Sequence, residues 1–437
     1  MRILGSPRIR RLAKEGTWIV AGQIASVAGA LALVRVLTEH LSPTQYGDLA
    51  LALTLGILVC QVAFSGAMPG ILRYYTVAVD EGDTHQYFAA TRRMMRYSTL
   101  AAAGLSALLL FGLVLIGRSY WMGTVAIAIM FSILGSYNAT LSMIQNAARQ
   151  RKVVALHSAL DAWLKVVFVA ALLAWAAKTV EVVIVGYVLS LLLVIGSQSI
   201  FIRRLITQQM PSRINEPARW SSLIWLYSKP FVVFNIFTWV QTSSDRWALE
   251  VFATTQEVGL YTVLMQIGYT PISIVTGLAI TFISPILFQR SGDATEQARN
   301  DSARQLAWQL TLMALALTAV GFLLAFFFHG WIFRLFVAEE YRPVSNQLPW
   351  MVLAGGLFAA GQVISLKLMS DMNTQALMAP KVVTAIAGTL LSFAGAYIAG
   401  LRGVVFALVA FSVLHLLWIS LVGARRKSFL PKGTTKC

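Results

Sequence analysis

The sequence predicts an all-α polytopic membrane protein with about twelve membrane-crossing helices arranged as two sets of six. Three observations predict it. The 437 residues are 57% hydrophobic and only 12% charged, where an average soluble domain carries about 25% charged residues. Apolar runs of about 20 residues, long enough to cross roughly 30 Å of hydrocarbon at about 1.5 Å per residue, recur along nearly the whole chain. Lys and Arg gather in alternate connections between those runs.

The first six predicted helices cover 17–37, 49–66, 98–117, 120–141, 153–176 and 180–202. The second six cover 220–240, 258–287, 306–328, 348–369, 376–398 and 404–422. No stretch is left over for a soluble domain. The basic opening stretch, Arg2 to Lys14, resembles the start of a signal peptide, but so many further runs follow that the first run reads as a retained helix with a basic lead-in.

Orientation follows from the charges, because Lys and Arg flanking membrane helices are retained in the cytoplasm. The N-terminal stretch, the even-numbered connections and the C-terminal tail, counted with Lys367 and Lys381 at the flanks of the tenth connection, together hold 26 Lys and Arg, the odd-numbered connections 6, and the interiors of the predicted spans 3. Both termini are therefore expected in the cytoplasm.

The polar connection 203–219, with Gln208, Gln209, Pro211, Ser212 and Pro217, lies near the chain midpoint. It is expected to link an N-terminal lobe, 1–202, to a C-terminal lobe, 220–437, that ends in a short basic tail. A faint repeat agrees: Gln45, Tyr46 and Gly47 lead into a run with Gly56, and Glu257, Val258 and Gly259 into one with Gly268. The offset is close to half the chain, as duplication of six helices in parallel orientation requires.

A net charge of +17 invites a nucleic-acid reading, but the basic residues are scattered among short loops and form no single basic face, so no nucleic-acid partner is expected. Cys60 and Cys437 offer neither a disulfide framework nor metal-ligand spacing. No catalytic residue, metal or cofactor is expected, and the chain does not read as an enzyme.

Ionisable groups inside a span are costly and so mark pathways. His157, Asp161 and Lys165 repeat every fourth residue along one stripe of the fifth predicted helix. They read either as a polar cavity wall, with His157 or Asp161 exchanging ions or protons and Lys165 attracting an anion, or as a self-neutralising Asp161 and Lys165 pair. Lys229 precedes Pro230, which removes a backbone donor inside the seventh helix. Arg35 near the outer end of the first helix and Arg73 after the second complete the candidate substrate pathway. Asp245 and Arg246 read as capping or interfacial groups. Pro271, Pro285 and Pro380 are candidate hinges or static kinks. Trp121, Trp220, Trp331 and Trp350 read as interfacial anchors, and 85–97 reads as an amphipathic stretch against anionic headgroups or a collector of a lipid pyrophosphate.

Three stretches carry a family likeness: Leu33 to Gly47, Gly66 to Tyr75, and Asp245-Arg246 with Glu257 to Tyr261. On these the chain resembles the O-antigen and exopolysaccharide repeat-unit flippases of the multidrug/oligosaccharidyl-lipid/polysaccharide exporter superfamily. The resemblance implies the MATE-like fold of that superfamily, with two six-helix lobes around a cavity that opens alternately to each face. It implies an undecaprenyl-pyrophosphate-linked oligosaccharide as substrate, membrane lipids and a polysaccharide polymerase or other assembly proteins as partners, and a proton or sodium gradient as driving force. Two rivals stand beside it: a cation-coupled multidrug exporter of the same superfamily, which is expected to need acidic residues in its cavity, and a membrane glycosyltransferase or ligase, which is expected to need a larger outer loop.

Overall fold

The structure, a computed structural model, describes residues 7–207, 217–277, 279–280, 297–370 and 375–424. Much of the expected linker, together with Pro285 and the basic tail, lies outside the described residues. All regular structure among the described residues is helical: α1 Pro7–His40, α2 Pro43–Ser65, α3 Met68–Asp80, α4 Thr84–Leu115, α5 Met122–Ala147, α6 Arg151–Trp175, α7 Val180–Thr207, α8 Pro217–Phe252, α9 Thr255–Leu264, α10 Gln297–Phe336, α11 Leu348–Ser370 and α12 Gln375–Ala424.

Eleven candidate spans are found among the described residues, and the last, Val382–Val422, is 41 residues long. At about 1.5 Å per residue that is roughly 60 Å, twice the hydrocarbon thickness. The helix is in fact interrupted at Ala399 and Gly400, where Gly400 adopts φ 54°. A left-handed φ is accessible to glycine without a Cβ penalty. The break divides α12 into two crossings, 375–398 and 401–424, which brings the count among the described residues to twelve, as the sequence predicts.

The chain divides into two compact units, Met1–Ser243 and Ser244–Cys437. The division falls inside α8, downstream of the expected linker at 203–219, because the first part of α8 is bound into the first unit. Trp220 Nε1 donates to Asp83 at 2.7 Å, Ser228 Oγ receives the Gly70 N–H at 2.8 Å, and Trp239 Nε1 donates to the Thr54 carbonyl at 2.8 Å.

In the first unit α1 packs along α6. Gly22 and Gly29, seven residues apart, lie against Ala155 and Ala162, also seven apart; a Cβ on either glycine would come within 2.7 and 2.9 Å of the alanine methyls. Such close backbone approach is how membrane helices gain dispersion energy where no hydrophobic drive between helices exists.

Two elements differ from expectation. Helix α3 is too short to cross a membrane, so no apolar run announces it. Helix α4 begins fourteen residues before its predicted start, because 84–97, buried on one face, is part of the same helix. Tyr87, Phe88, Met94 and Met95 are buried, with Tyr87 and Phe88 edge-on to Tyr75 and Tyr87 also edge-on to Trp220, while Arg92, Arg93 and Arg96 face out. The apolar side of this stretch is satisfied by protein instead of by headgroups. Burial pushes the Tyr75 phenol above its ordinary range, so it stays neutral at physiological pH. Trp220 likewise belongs to this core and not to an interfacial belt: it is fully buried.

In the second unit α9 runs into one π-helical turn, Met265–Tyr269, closed by the Thr270 N–H on the Met265 carbonyl. Pro271 follows, has no N–H to continue an ordinary ladder, and so coincides with the irregular turn.

Candidate functional site

Helices α6 and α7 run antiparallel, and their shared face carries the polar groups of the fifth predicted helix. Lys165 Nζ lies 2.7 Å from Asp161 Oδ2, and both side chains are less than one-fifth exposed. The i, i+4 spacing places them one turn apart. Ser190 of α7 sits 3.2 Å from Asp161 Oδ1, and the Lys165 ammonium lies 5.4 Å from the Phe131 ring centre on α5. Asp161 is thus held by a cation and a hydroxyl, and Lys165 by a carboxylate and an aromatic face. That arrangement removes most of the cost of keeping two charges in a span.

One turn back along α6, buried His157 has Nδ1 2.7 Å from the Val153 carbonyl and Nε2 3.0 Å from Ser197 Oγ. A carbonyl can only accept, so Nδ1 carries a proton. The Phe201 ring closes over the imidazole edge at 5.5 Å. Ser190 and Ser197 are two helical turns apart, so a single face of α7 serves both Asp161 and His157.

Neutral amides extend this polar face, and reading only ionisable groups in the sequence missed them. Gln198 Nε2 donates to Ser142 Oγ at 3.1 Å, and Gln145 and Gln198 are buried almost completely. The side-chain oxygens of Gln61, Asn138, Gln145 and Gln198 have no hydrogen-bond partner among the described residues. In a low-dielectric setting an unpaired amide oxygen costs free energy. A glutamine within an apolar run was the signal in the sequence.

The remaining predicted cations are not brought together with this face. Arg35 pairs with Glu39 one turn along α1 at 2.6 Å, with both side chains over one-third exposed. Arg73 is exposed on α3 and makes no ion pair among the described residues. Lys229 is exposed on α8, inside the candidate span Arg219–Phe252, also with no ion pair among the described residues. Pro230 follows it without breaking the helix.

The resemblance motifs act as structural joints. Ser42 and Gln45 form a reciprocal capping box at the start of α2, and Gln45 Nε2 also donates to the Lys178 carbonyl between α6 and α7 at 3.0 Å. Asp245 is buried, accepts the Tyr261 hydroxyl at 2.5 Å, and receives the Arg246 backbone N–H. No group of three metal-ligating side chains occurs among the described residues.

No protein-family model matches the sequence, and no curated protein does. Solved structures do match. The lipid II flippase MurJ in its inward closed conformation superposes with a TM-score of 0.67 at 12% identity, over 94% of this chain and 87% of that one. An inward-facing multidrug resistance MATE family transporter of the MOP superfamily gives 0.64 at 13% identity, over 93% and 98%. The MATE multidrug transporter DinF-BH gives 0.62 at 17% identity, over 93% and 94%. Aligned over nearly its full length, this chain has the all-helical fold of these solved structures.

Proposed function

We propose that the protein is a flippase that moves an undecaprenyl-pyrophosphate-linked oligosaccharide from the cytoplasmic to the periplasmic leaflet of the bacterial inner membrane by alternating access, with both termini in the cytoplasm. Sugars and pyrophosphate cannot shed their water into hydrocarbon without a cost of many kcal/mol. The carrier must therefore supply polar partners along the way while the prenyl tail stays in lipid.

The observation that carries this reading is Lys229, a cation inside a span that is exposed and has no ionic partner among the described residues. A lysine held this way is available to a diphosphate. Arg73, also exposed, offers a second positive charge, and Arg35 and Lys165 join when their carboxylate partners are exchanged for substrate. His157 and Asp161 are the groups through which a proton or sodium gradient would act, and the polymerase that consumes the flipped unit is the natural partner.

The drug-exporter reading is favoured by the MATE neighbours but disfavoured by the acids: Asp161 is tied to Lys165, Asp245 to Tyr261, and Glu181 to Thr124. No free carboxylate among these awaits a cationic drug. The test is replacement of Lys165 and Lys229 together by Gln in a strain lacking the native copy. Surface polysaccharide should fall sharply at normal protein level; unchanged polysaccharide would remove both lysines from the pathway.

A further inference from the structure

Helix α4 carries a feature that the transport reading does not use. From Thr91 onward its faces separate cleanly: Thr91, Met94, Met95, Ser98 and Ala102 are buried, while Arg92, Arg93, Arg96, Tyr97 and Leu100 are exposed. The exposed positions fall on one arc, because successive residues turn about 100°. The same arc continues through Leu108 at 70% exposure, Phe111 at 62% and Leu115 at 72%. In a membrane protein such a stripe faces acyl chains.

The stripe also fixes a depth. From Arg96 to Leu115 the helix rises about 28 Å, which matches the roughly 30 Å hydrocarbon core. Each end carries an arginine on an aromatic ring. At one end the Arg93 guanidinium lies 5.5 Å from the Tyr97 ring centre and its Nε donates to the Tyr97 hydroxyl at 3.1 Å. Just past the other end, Arg118 lies 5.4 Å from the Trp121 ring centre. Aromatic rings and arginines at both ends of an apolar stripe mark the two headgroup levels.

The two ends differ in charge. The Arg118 end holds one arginine, whereas the other presents Arg92, Arg93 and Arg96 within two turns, and none of these three pairs with a carboxylate among the described residues. Their position is set from behind by Tyr87, Phe88, Met94 and Met95, so the guanidinium groups are presented at phosphate depth by a rigid helix. Three cations above an apolar stripe complement an anionic headgroup above two acyl chains.

We propose that the exposed face of α4 at Arg92, Arg93, Arg96 and Tyr97 is a binding site for an anionic glycerophospholipid. The phosphate is held by the guanidinium groups and the chains lie along Leu100, Leu108 and Phe111. Arg93, braced by Tyr97, is the fixed element, and Arg92 and Arg96 add their charges beside it.

The test is titration of the purified full chain, in neutral detergent, with phosphatidylglycerol, cardiolipin and phosphatidylcholine, scored by native mass spectrometry. The wild type should retain the two anionic lipids in preference to phosphatidylcholine. The triple variant R92Q/R93Q/R96Q should lose affinity for them by about fivefold per arginine, on the order of a hundredfold together. R92K/R93K/R96K should recover most of the binding, and R425Q/R426Q/K427Q should leave it intact. Equal retention of anionic lipid by the triple Gln variant overturns the proposal, as does loss of binding in the tail variant alone. Displacement of cardiolipin by millimolar inorganic pyrophosphate from the wild type but not from the triple Lys variant would reassign the face to the substrate's diphosphate and equally overturn it.

Discussion

The Glu257 carboxylate of α9 receives the backbone N–H of Leu401 at 2.6 Å, immediately after Gly400 turns the chain between the two halves of α12. Glu257 sits in the first turn of α9, whose start is capped by Thr254. The first unit holds a counterpart: Gln45, in the first turn of α2 behind its cap Ser42, reaches the Lys178 carbonyl between α6 and α7. In each set of six helices the residue three places after a helix cap clasps the turn between the last two crossings of that set. The repeat that pairs Gln45 with Glu257 in the sequence thus has matching contacts in space, as duplication requires.

Replacing Glu257 with Ala leaves the Leu401 N–H without its partner and frees the turn at Gly400. A loss of about 1–2 kcal/mol is expected. Thermal denaturation in detergent should show a lowered midpoint for E257A, and E257Q should recover part of it, because an amide oxygen still accepts. An unchanged E257A midpoint would mean that the glycine turn holds itself.

Ser228 of α8 caps a helix that cannot cap itself. Position 67, at the start of α3, is Ala, which offers no side-chain oxygen, and Ser228 Oγ takes the Gly70 N–H at 2.8 Å instead. Its own proton points to the Ala67 carbonyl at 3.4 Å. S228A should therefore cost about 1–2 kcal/mol and raise amide exchange at 68–71 above that of the rest of α3. S228T, which keeps the hydroxyl, should exchange more slowly than S228A. Identical exchange in all three proteins would exclude the cap.

The Asp161 and Lys165 pair predicts a strongly non-additive mutant cycle. D161N and K165Q each leave one charge uncompensated in a span, at a cost on the order of 3 kcal/mol. The double variant D161N/K165Q removes both charges and should be more stable than either single variant. Thermal shift of the four purified proteins measures this directly; additive losses would show that the two groups act independently.

The sequence made some of these features readable, for physical reasons that differ by element. Twelve crossings were legible because bilayer thickness imposes a length on every apolar run, and even the break at Gly400 lay in a gap between predicted helices. Helix α3 and the first turns of α4 were not: their apolar residues are buried by protein, so no run of membrane length records them. Helical spacing offered the Asp161 and Lys165 pair as one of two readings of that stripe, and the structure shows it formed. The Ser190 and Ser197 contacts did not, because they depend on the register of α6 against α7. The clasp from Ser228 to Gly70 joins positions 158 apart, and only packing decides which serine among many meets an uncapped helix. Gln145 and Gln198 escaped notice since neutral amides leave no charge signal.

The central claim is that a hydrophilic headgroup on a lipid crosses the membrane through this protein. Proteoliposomes loaded with a fluorescent polyprenyl-pyrophosphate oligosaccharide on one leaflet measure it, with a membrane-impermeant quencher reporting arrival at the other. Wild-type protein should move the lipid many times faster than empty vesicles, K229Q should be slowed at least tenfold, and a cationic rhodamine dye should not be transported. Transport of the dye with no movement of the lipid-linked sugar would contradict the account and identify a drug exporter on the same fold.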